Sequence, residues 1–216
     1  MKKRLTLIGT KEFSEQIISF ANKTGEFDFV GYFDDLVEKG TIINGKPVLG
    51  KVEEAIKLYK DGLFDYIFEG IGYTRFDLRE QYYDILKGKV PFANIICPSV
   101  SINTNVVLGE GIFIGDNTFI DGNTVIDDNV FIHVGTTLGH NNRIGKHTYI
   151  AGRFDTCGNV NIGERCFIGV RCLVSDGITI CNDSWIGIGS LILRDITQPG
   201  KYMPNVRLMR IDVNND

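Results

Sequence analysis

Three histidines, His133, His140 and His147, lie seven residues apart, and the middle one sits in the run Gly139-His140-Asn141-Asn142-Arg143-Ile144-Gly145. An imidazole changes protonation near neutral pH, so it suits removal of a proton from a nucleophile during attack. Asn141 follows His140 directly. An amide can hold the ring by a hydrogen bond but cannot stabilise an imidazolium by charge, so Asp155 or a backbone carbonyl is an alternative partner. Three histidines also raise the question of a zinc site. The five cysteines (Cys97, Cys157, Cys166, Cys172 and Cys181) have no metal-type spacing and read as free thiols. A second set of polar candidates lies nearer the amino terminus, in Gly9-Thr10-Lys11, Asp34-Asp35 and Gly72-Tyr73.

The elements that carry His140 follow an unusual rule. Reading in steps of six gives Ile96, Ile102, Leu108, Ile114, Ile120, Ile126, Ile132, Leu138, Ile144, Ile150, Thr156, Ile162, Ile168, Val174, Ile180, Ile186 and Ile192, with Thr156 the single non-aliphatic member. A period of six is neither helical nor simple strand alternation, and it marks a solenoid. Two residues before each aliphatic stands a small or β-branched residue, such as Val106, Thr118, Thr124, Val130, Thr148, Cys166 or Cys172. Such a pair points to one face of a short strand. Gly, Asn or Asp often follows the aliphatic, supplying the turn.

The first 95 residues have a different grammar. Strands are expected over 4–9, 27–33, 64–71 and 90–96, helices over 11–24, 52–59 and 76–86, and a turn at Asn44-Gly45-Lys46-Pro47. Alternating strand and helix predicts a Rossmann-like parallel sheet, residues 1–95, with the solenoid and a short tail over 96–216. A ligand of such a sheet sits beyond the carboxyl ends of its strands. This places Gly9, Thr10, Asp34, Asp35, Gly72 and Tyr73 as substrate-binding candidates. Gly9 alone is little of a glycine-rich dinucleotide fingerprint. The two aspartates fit either ribose hydroxyls or a solvated turn.

Three hexads closing one triangular coil resemble the hexapeptide-repeat, left-handed parallel β-helix acyltransferases. The two-domain order, with Cys97-Pro98-Ser99 at the junction where relatives have His-Pro-Ser, is similar to the sialic-acid O-acetyltransferase and nucleotide-4-amino-sugar N-acetyltransferase family. The resemblance implies a homotrimer, acetyl-CoA as acyl donor in the groove between neighbouring helices, and a nucleotide-linked sugar on the amino-terminal domain. It implies His140 as general base with Asn141 in place of the usual acidic residue. It further implies Tyr149, Gly158 and Val170 as acetyl-CoA contacts, with Lys201 and Arg207 available to the CoA phosphates. Eighteen residues per coil put Gly158 directly over His140. Steps of seven put the three histidines on different faces, so no metal site is expected within one protomer; a site shared across a trimer is the alternative to reading His133 and His147 as ordinary surface residues. The run from Arg153 to Val160, with Phe154 and Thr156 off-pattern, reads either as access for a thioester or as a packing variation.

The expected activity is acetyl-CoA-dependent N-acetylation of a nucleotide-linked amino sugar for surface polysaccharide or glycan assembly. Sugar O-acetylation and a non-catalytic sugar-nucleotide-binding trimer are the alternatives. A formal charge of -4 and a pI near 5.4 provide no basic stripe for nucleic acid. No apolar run reaches membrane-spanning length, and the amino terminus has no signal-peptide anatomy, so the expected location is cytoplasmic.

Overall fold

A computed structural model describes residues 1–205 of the chain. The amino-terminal unit contains β1 (Lys3–Ile8), α1 (Glu12–Thr24), β2 (Phe27–Phe33), β3 (Ile42–Ile43), β4 (Lys46–Gly50), α2 (Glu54–Lys60), β5 (Tyr66–Glu69) and α3 (Phe76–Leu86). The sheet order is β3-β4-β2-β1-β5, parallel throughout except for the β3–β4 pair. Helix α1 buries Ser14, Ile17 and Ala21, one face at helical spacing, and Gly25 ends it in the left-handed conformation.

One sequence expectation is met in narrower form here, Lys46 and Pro47 belonging to β4, and one changes. The Asn44-Gly45 turn closes a short hairpin between β3 and β4, both residues having positive φ (49° and 76°). The strand expected over 90–96 does not form as one piece. Phe92 makes an isolated bridge to Ile67, and Ile95–Ile96 pairs instead with Phe113–Ile114. The Pro91 carbonyl and the Ala93 amide make the two bonds to Ile67, Pro91 has no N–H to extend that ladder, and the chain joins the next sheet after Ala93.

From Ile95 onward the chain winds as the left-handed β-helix, three parallel sheets forming a prism. Face one holds Phe113–Ile114, Phe131–Ile132, Tyr149–Ile150 and Phe167–Ile168. Face two includes Phe119–Ile120, Thr137–Leu138, Asp155–Thr156 and Leu173–Val174. Face three includes Val125–Ile126, Arg143–Ile144 and Asn161–Ile162. Strands pair with those eighteen residues away, as in Phe131↔Tyr149 and Val125↔Arg143. Ile114, Ile120, Ile126, Ile132, Leu138, Ile144 and Ile150 are all fully buried. Each such side chain contributes about 1.5–3 kcal/mol of burial. Phe154 is fully buried among them, so at that position it is core packing.

The residue before each inward aliphatic points outward, and on face one this makes a column: Phe113, Phe131, Tyr149, Phe167 and Trp185. Phe131 and Tyr149 stack at 5.9 Å, and Phe167 and Trp185 at 4.1 Å. The amino-terminal unit covers this column with Phe13, Phe20 and Phe68. Beside it lies a buried ion pair, Arg79 Nε to Glu69 Oε2 at 3.7 Å. Arg79 also donates to the Asn129 carbonyl at 2.8 Å and lies 4.4 Å over the Phe131 ring. Burial pushes the Glu69 carboxyl up to about 8, with Arg79 and then Asn129 pulling the other way.

This covering corrects the reading of two histidines. His147 is 3% exposed, with Nδ1 3.1 Å from Asn129 Nδ2 and its ring edge-on to Tyr83. His133 is half-buried, packed against Phe13, Phe113 and Tyr149. Burial, with Arg79 nearby, lowers both to about 4. They belong to the domain interface, because both flank the covered face.

Candidate active site

His140 lies at the corner between faces two and three, after Thr137–Leu138 and before Arg143–Ile144, and it is exposed. Gly158 follows one coil later against the imidazole. A Cβ built there would fall 2.6 Å from Nε2 and 2.9 Å from Nδ1. Only glycine leaves the ring that place. Asn141 occupies the corner's left-handed position, φ 58°, which asparagine tolerates better than most residues. Its Nδ2 lies 3.1 Å from His140 Nδ1 and 3.3 Å from Asn159 Oδ1. A half-turn of that amide, which gives up the bond to Asn159, presents oxygen instead, which accepts an Nδ1–H and frees the Nε2 lone pair. Asp155 points outward on face two and no hydrogen bond links it to the imidazole, so Asn141 is the ring's direct partner.

Beneath the corner the repeat changes chemistry. Asn142 is 1% exposed and donates to Thr156 Oγ1 and, at 3.2 Å, to the Cys157 carbonyl, while its Oδ1 accepts from Val160 N at 2.7 Å. The Gly139 N–H goes to Thr156 Oγ1 at 3.0 Å. Thr156, the odd member of the hexad series, is therefore matched to a polar residue inside the prism. Sequence reading did not single out Asn142. The signal available was an amide two residues before Ile144, where small or β-branched residues stand in other hexads.

A cavity of about 680 Å³ opens above the carboxyl ends of β1, β2 and β5. Gly9, Thr10, Asp34, Asp35 and Gly72 all line it, with Arg75 and Tyr82 opposite. Gly9 turns at φ 92°, a conformation costly for other residues. Ser14, at 0% exposure, ties the two flanking loops by donating to the Gly9 and Gly70 carbonyls at 2.8 and 3.2 Å. Asp34 accepts from Thr10 Oγ1 at 2.7 Å and from Leu36 N at 2.9 Å. Asp35 accepts from Val52 N at 2.9 Å and Tyr82 Oη at 2.8 Å. Both carboxylates thus shape the cavity wall as well as facing it.

Several expected contacts are not brought to either place. Tyr73 turns away from the cavity and packs its ring 4.6 Å from Phe167 and 5.1 Å from Tyr149, fastening the loop to the prism. Tyr149, 6% exposed, lies under the amino-terminal unit and cannot line an open groove in the chain as folded. Burial raises its phenol. Val170 is 43% exposed, at the corner between faces one and two. Lys201 lies at the outer end of face one, 5.4 Å from the Trp185 ring. Arg207 is outside the described residues. Cys157 is exposed beside Gly158, while Cys97, Cys166 and Cys172 are buried; burial pushes the Cys166 thiol up to about 11. Among the described residues no three His, Cys, Asp or Glu side chains gather as a metal site, and no helix is long and apolar enough to cross a membrane.

Comparison with solved structures finds the same fold over nearly the whole chain. PerB from Caulobacter crescentus, solved with CoA and GDP-perosamine, is 26% identical, with a TM-score of 0.80 and 93% of each chain covered. This chain has the architecture of the hexapeptide-repeat sugar acetyltransferases. A histidine-to-asparagine variant of perosamine N-acetyltransferase from the same organism, again with CoA and GDP-perosamine, gives 25% identity and a TM-score of 0.81 over 96% of this chain and 97% of the other. The acetyltransferase domain of PglB from Neisseria gonorrhoeae, 21% identical with a TM-score of 0.78 over 95% and 98%, shares the fold. Among curated proteins, UDP-3-O-acylglucosamine N-acyltransferase of Bordetella avium is 40% identical over 65 residues, 30% of this chain and 18% of that protein. The chain thus spans about a fifth of the length of the curated relatives it matches. No protein-family model matches.

Proposed function

We propose that the chain transfers an acetyl group from acetyl-CoA to the amine of a nucleotide-linked amino sugar. The observation that carries this is the His140 ring seated against Gly158 at an exposed corner, on a chain that aligns end to end with a perosamine N-acetyltransferase. In this reading the sugar nitrogen attacks the thioester carbonyl carbon, the C–S bond breaks, an amide forms and CoA leaves as its thiol. His140 Nε2 takes the proton from nitrogen as it attacks and returns it to the sulfur, with Nδ1–H held by Asn141 Oδ1. Binding both reactants in one cleft supplies proximity. The Gly158 position allows the thioester to approach backbone, where an N–H could meet the developing oxyanion.

The cavity at Gly9, Thr10, Asp34, Asp35 and Gly72 is the place for the nucleotide, its size falling within the range of small-molecule sites. Val170 and His140 lie at the two edges of face two, and in this reading that open face meets a neighbouring copy of the chain. The reading includes a homotrimer with acetyl-CoA between neighbours. The test is thiol release from acetyl-CoA across a panel of nucleotide sugars in amino and hydroxy forms. Release with the amino form, lost in His140→Ala, is expected. Release only with hydroxy forms would assign an O-acetyltransferase, and turnover unchanged in His140→Ala would remove the imidazole from the chemistry.

A further inference from the structure

Successive strands on all three faces pair at both residues of each strand, with one exception among the described residues. Thr137–Leu138 and Asp155–Thr156 pair only at Thr137↔Asp155. One coil earlier the equivalent amide, Asp121 N, donates to the Leu138 carbonyl at 2.9 Å, and one coil later Cys157 N donates to the Val174 carbonyl at 3.0 Å. At the exception Gly139 N donates to the Thr156 hydroxyl instead. That hydroxyl is in turn held by the buried Asn142 amide. The ladder is rerouted through two side chains immediately before His140 and immediately before the Cys157-Gly158 corner that faces it.

A polar pair inside an aliphatic prism needs a reason, because replacing both partners of a buried hydrogen bond by apolar groups of matching shape is nearly neutral or stabilising. Other coils show the ordinary solution. Thr124 and Thr148 accept from the backbone N–H one coil on, at 3.3 and 3.1 Å, and donate to the Gly139 and Gly163 carbonyls. A threonine at 142 could do the same for Val160 N and the Cys157 carbonyl, with an aliphatic at 156. Asn142 does both of these things and adds the bond to Thr156 that the ordinary coil lacks.

We propose that Asn142 and Thr156 are positioning residues: together they set the spacing and tilt of the His140 corner against Gly158, at the expense of a regular ladder. The proposal rests on the acetyl-transfer reading for its consequence, and on geometry alone for its structural half. The test is the double variant Asn142→Thr with Thr156→Ile, which restores the rule of the other coils, beside Thr156→Ser, which keeps the hydroxyl.

The double variant is expected to fold with an unchanged or higher melting temperature. Its crystal structure should show Gly139 N bonded to the residue-156 carbonyl and the His140 ring displaced relative to Gly158. Its kcat should fall about 10–100-fold, with KM for acetyl-CoA altered less than threefold, while Thr156→Ser stays within about threefold of the wild type. An undisplaced ring overturns the proposal, and so does a displaced ring with undiminished kcat. If the wild type itself releases no thiol with any amino sugar, the acetyl-transfer reading has failed, and the ring position in the double variant still decides whether these side chains hold it.

Discussion

Replacing Gly158 by alanine isolates the contact on which the proposed chemistry turns. The added Cβ would lie 2.6 Å from His140 Nε2 and 2.9 Å from Nδ1, with the three nearest atoms all in that ring. Ordinary contact between such atoms is about 3.5 Å, so the imidazole must withdraw by roughly 1 Å. Folding should hardly register the change. Gly158 is outside the left-handed backbone region, and the exposed ring can rotate away for about 1 kcal/mol. Catalysis should register it strongly, since a misplacement of about 1 Å costs on the order of 10²-fold in rate, or about 2.7 kcal/mol of barrier. The assay is steady-state thiol release at saturating acetyl-CoA for Gly158→Ala, His140→Ala and the double variant. If the methyl acts through the ring, the double variant is no slower than His140→Ala. Wild-type kcat in Gly158→Ala refutes the argument. Losses that multiply would mean that the methyl acts on the acyl donor rather than on the imidazole.

Other expectations follow from individual contacts. Asn141→Asp puts a group that can only accept beside Nδ1, at a corner conformation aspartate tolerates, and should raise kcat about tenfold; a slower enzyme with unchanged stability would count against the base role. Glu69→Ala leaves Arg79 buried without its partner and should cost about 3–5 kcal/mol in urea unfolding, whereas a loss below about 1 kcal/mol would show that the carboxyl does little to hold the buried guanidinium. His133 and His147 have folded-state values near 4 against 6.5, so the unfolded chain binds more protons between those limits. Their contribution is whole above pH 6.5 and drains away as pH falls toward 4, by up to about 3 kcal/mol per ring. The unfolding free energy of wild type minus that of His133→Phe should therefore rise between pH 4 and 6.5 and level off above, and a flat difference would remove that ring from the acid response.

Much of the fold was legible because the solenoid repeats its information. A two-residue strand carries little signal, yet Ile114, Ile120 and Ile126 recurring at one spacing fix register, coil length and the inward face together. The overlap of Gly158 with His140 follows from the same arithmetic. What was not legible is what covers the outside. Phe131, Tyr149 and Phe167 occupy outward positions, and the six-residue rule alone cannot say that a second domain lies on them. Tyr149 therefore read as a cofactor contact and His133 and His147 as surface residues, when all three are packed under Phe13, Arg79 and their neighbours. Tyr73 misled for the same reason: its place after β5 is that of a ligand loop, but the aromatic column competes for its ring.

The departures from the hexad rule carry more information than the repeats that obey it. Phe154 and Thr156 stand two residues apart in one coil, and the structure separates their roles. Phe154 fills core volume, whereas Thr156 takes an amide bond that a strand carbonyl would otherwise have accepted. Packing alone would have been served by an aliphatic at 156, as it is at 138 and 174. The polar choice falls on the coil that faces His140, at the corner the amino-terminal unit leaves uncovered. The same chain packs its other two histidines against the amino-terminal unit at the corners flanking face one. An imidazole meant to act on a substrate needs an open corner and a rigid floor, and in this prism both conditions meet at His140.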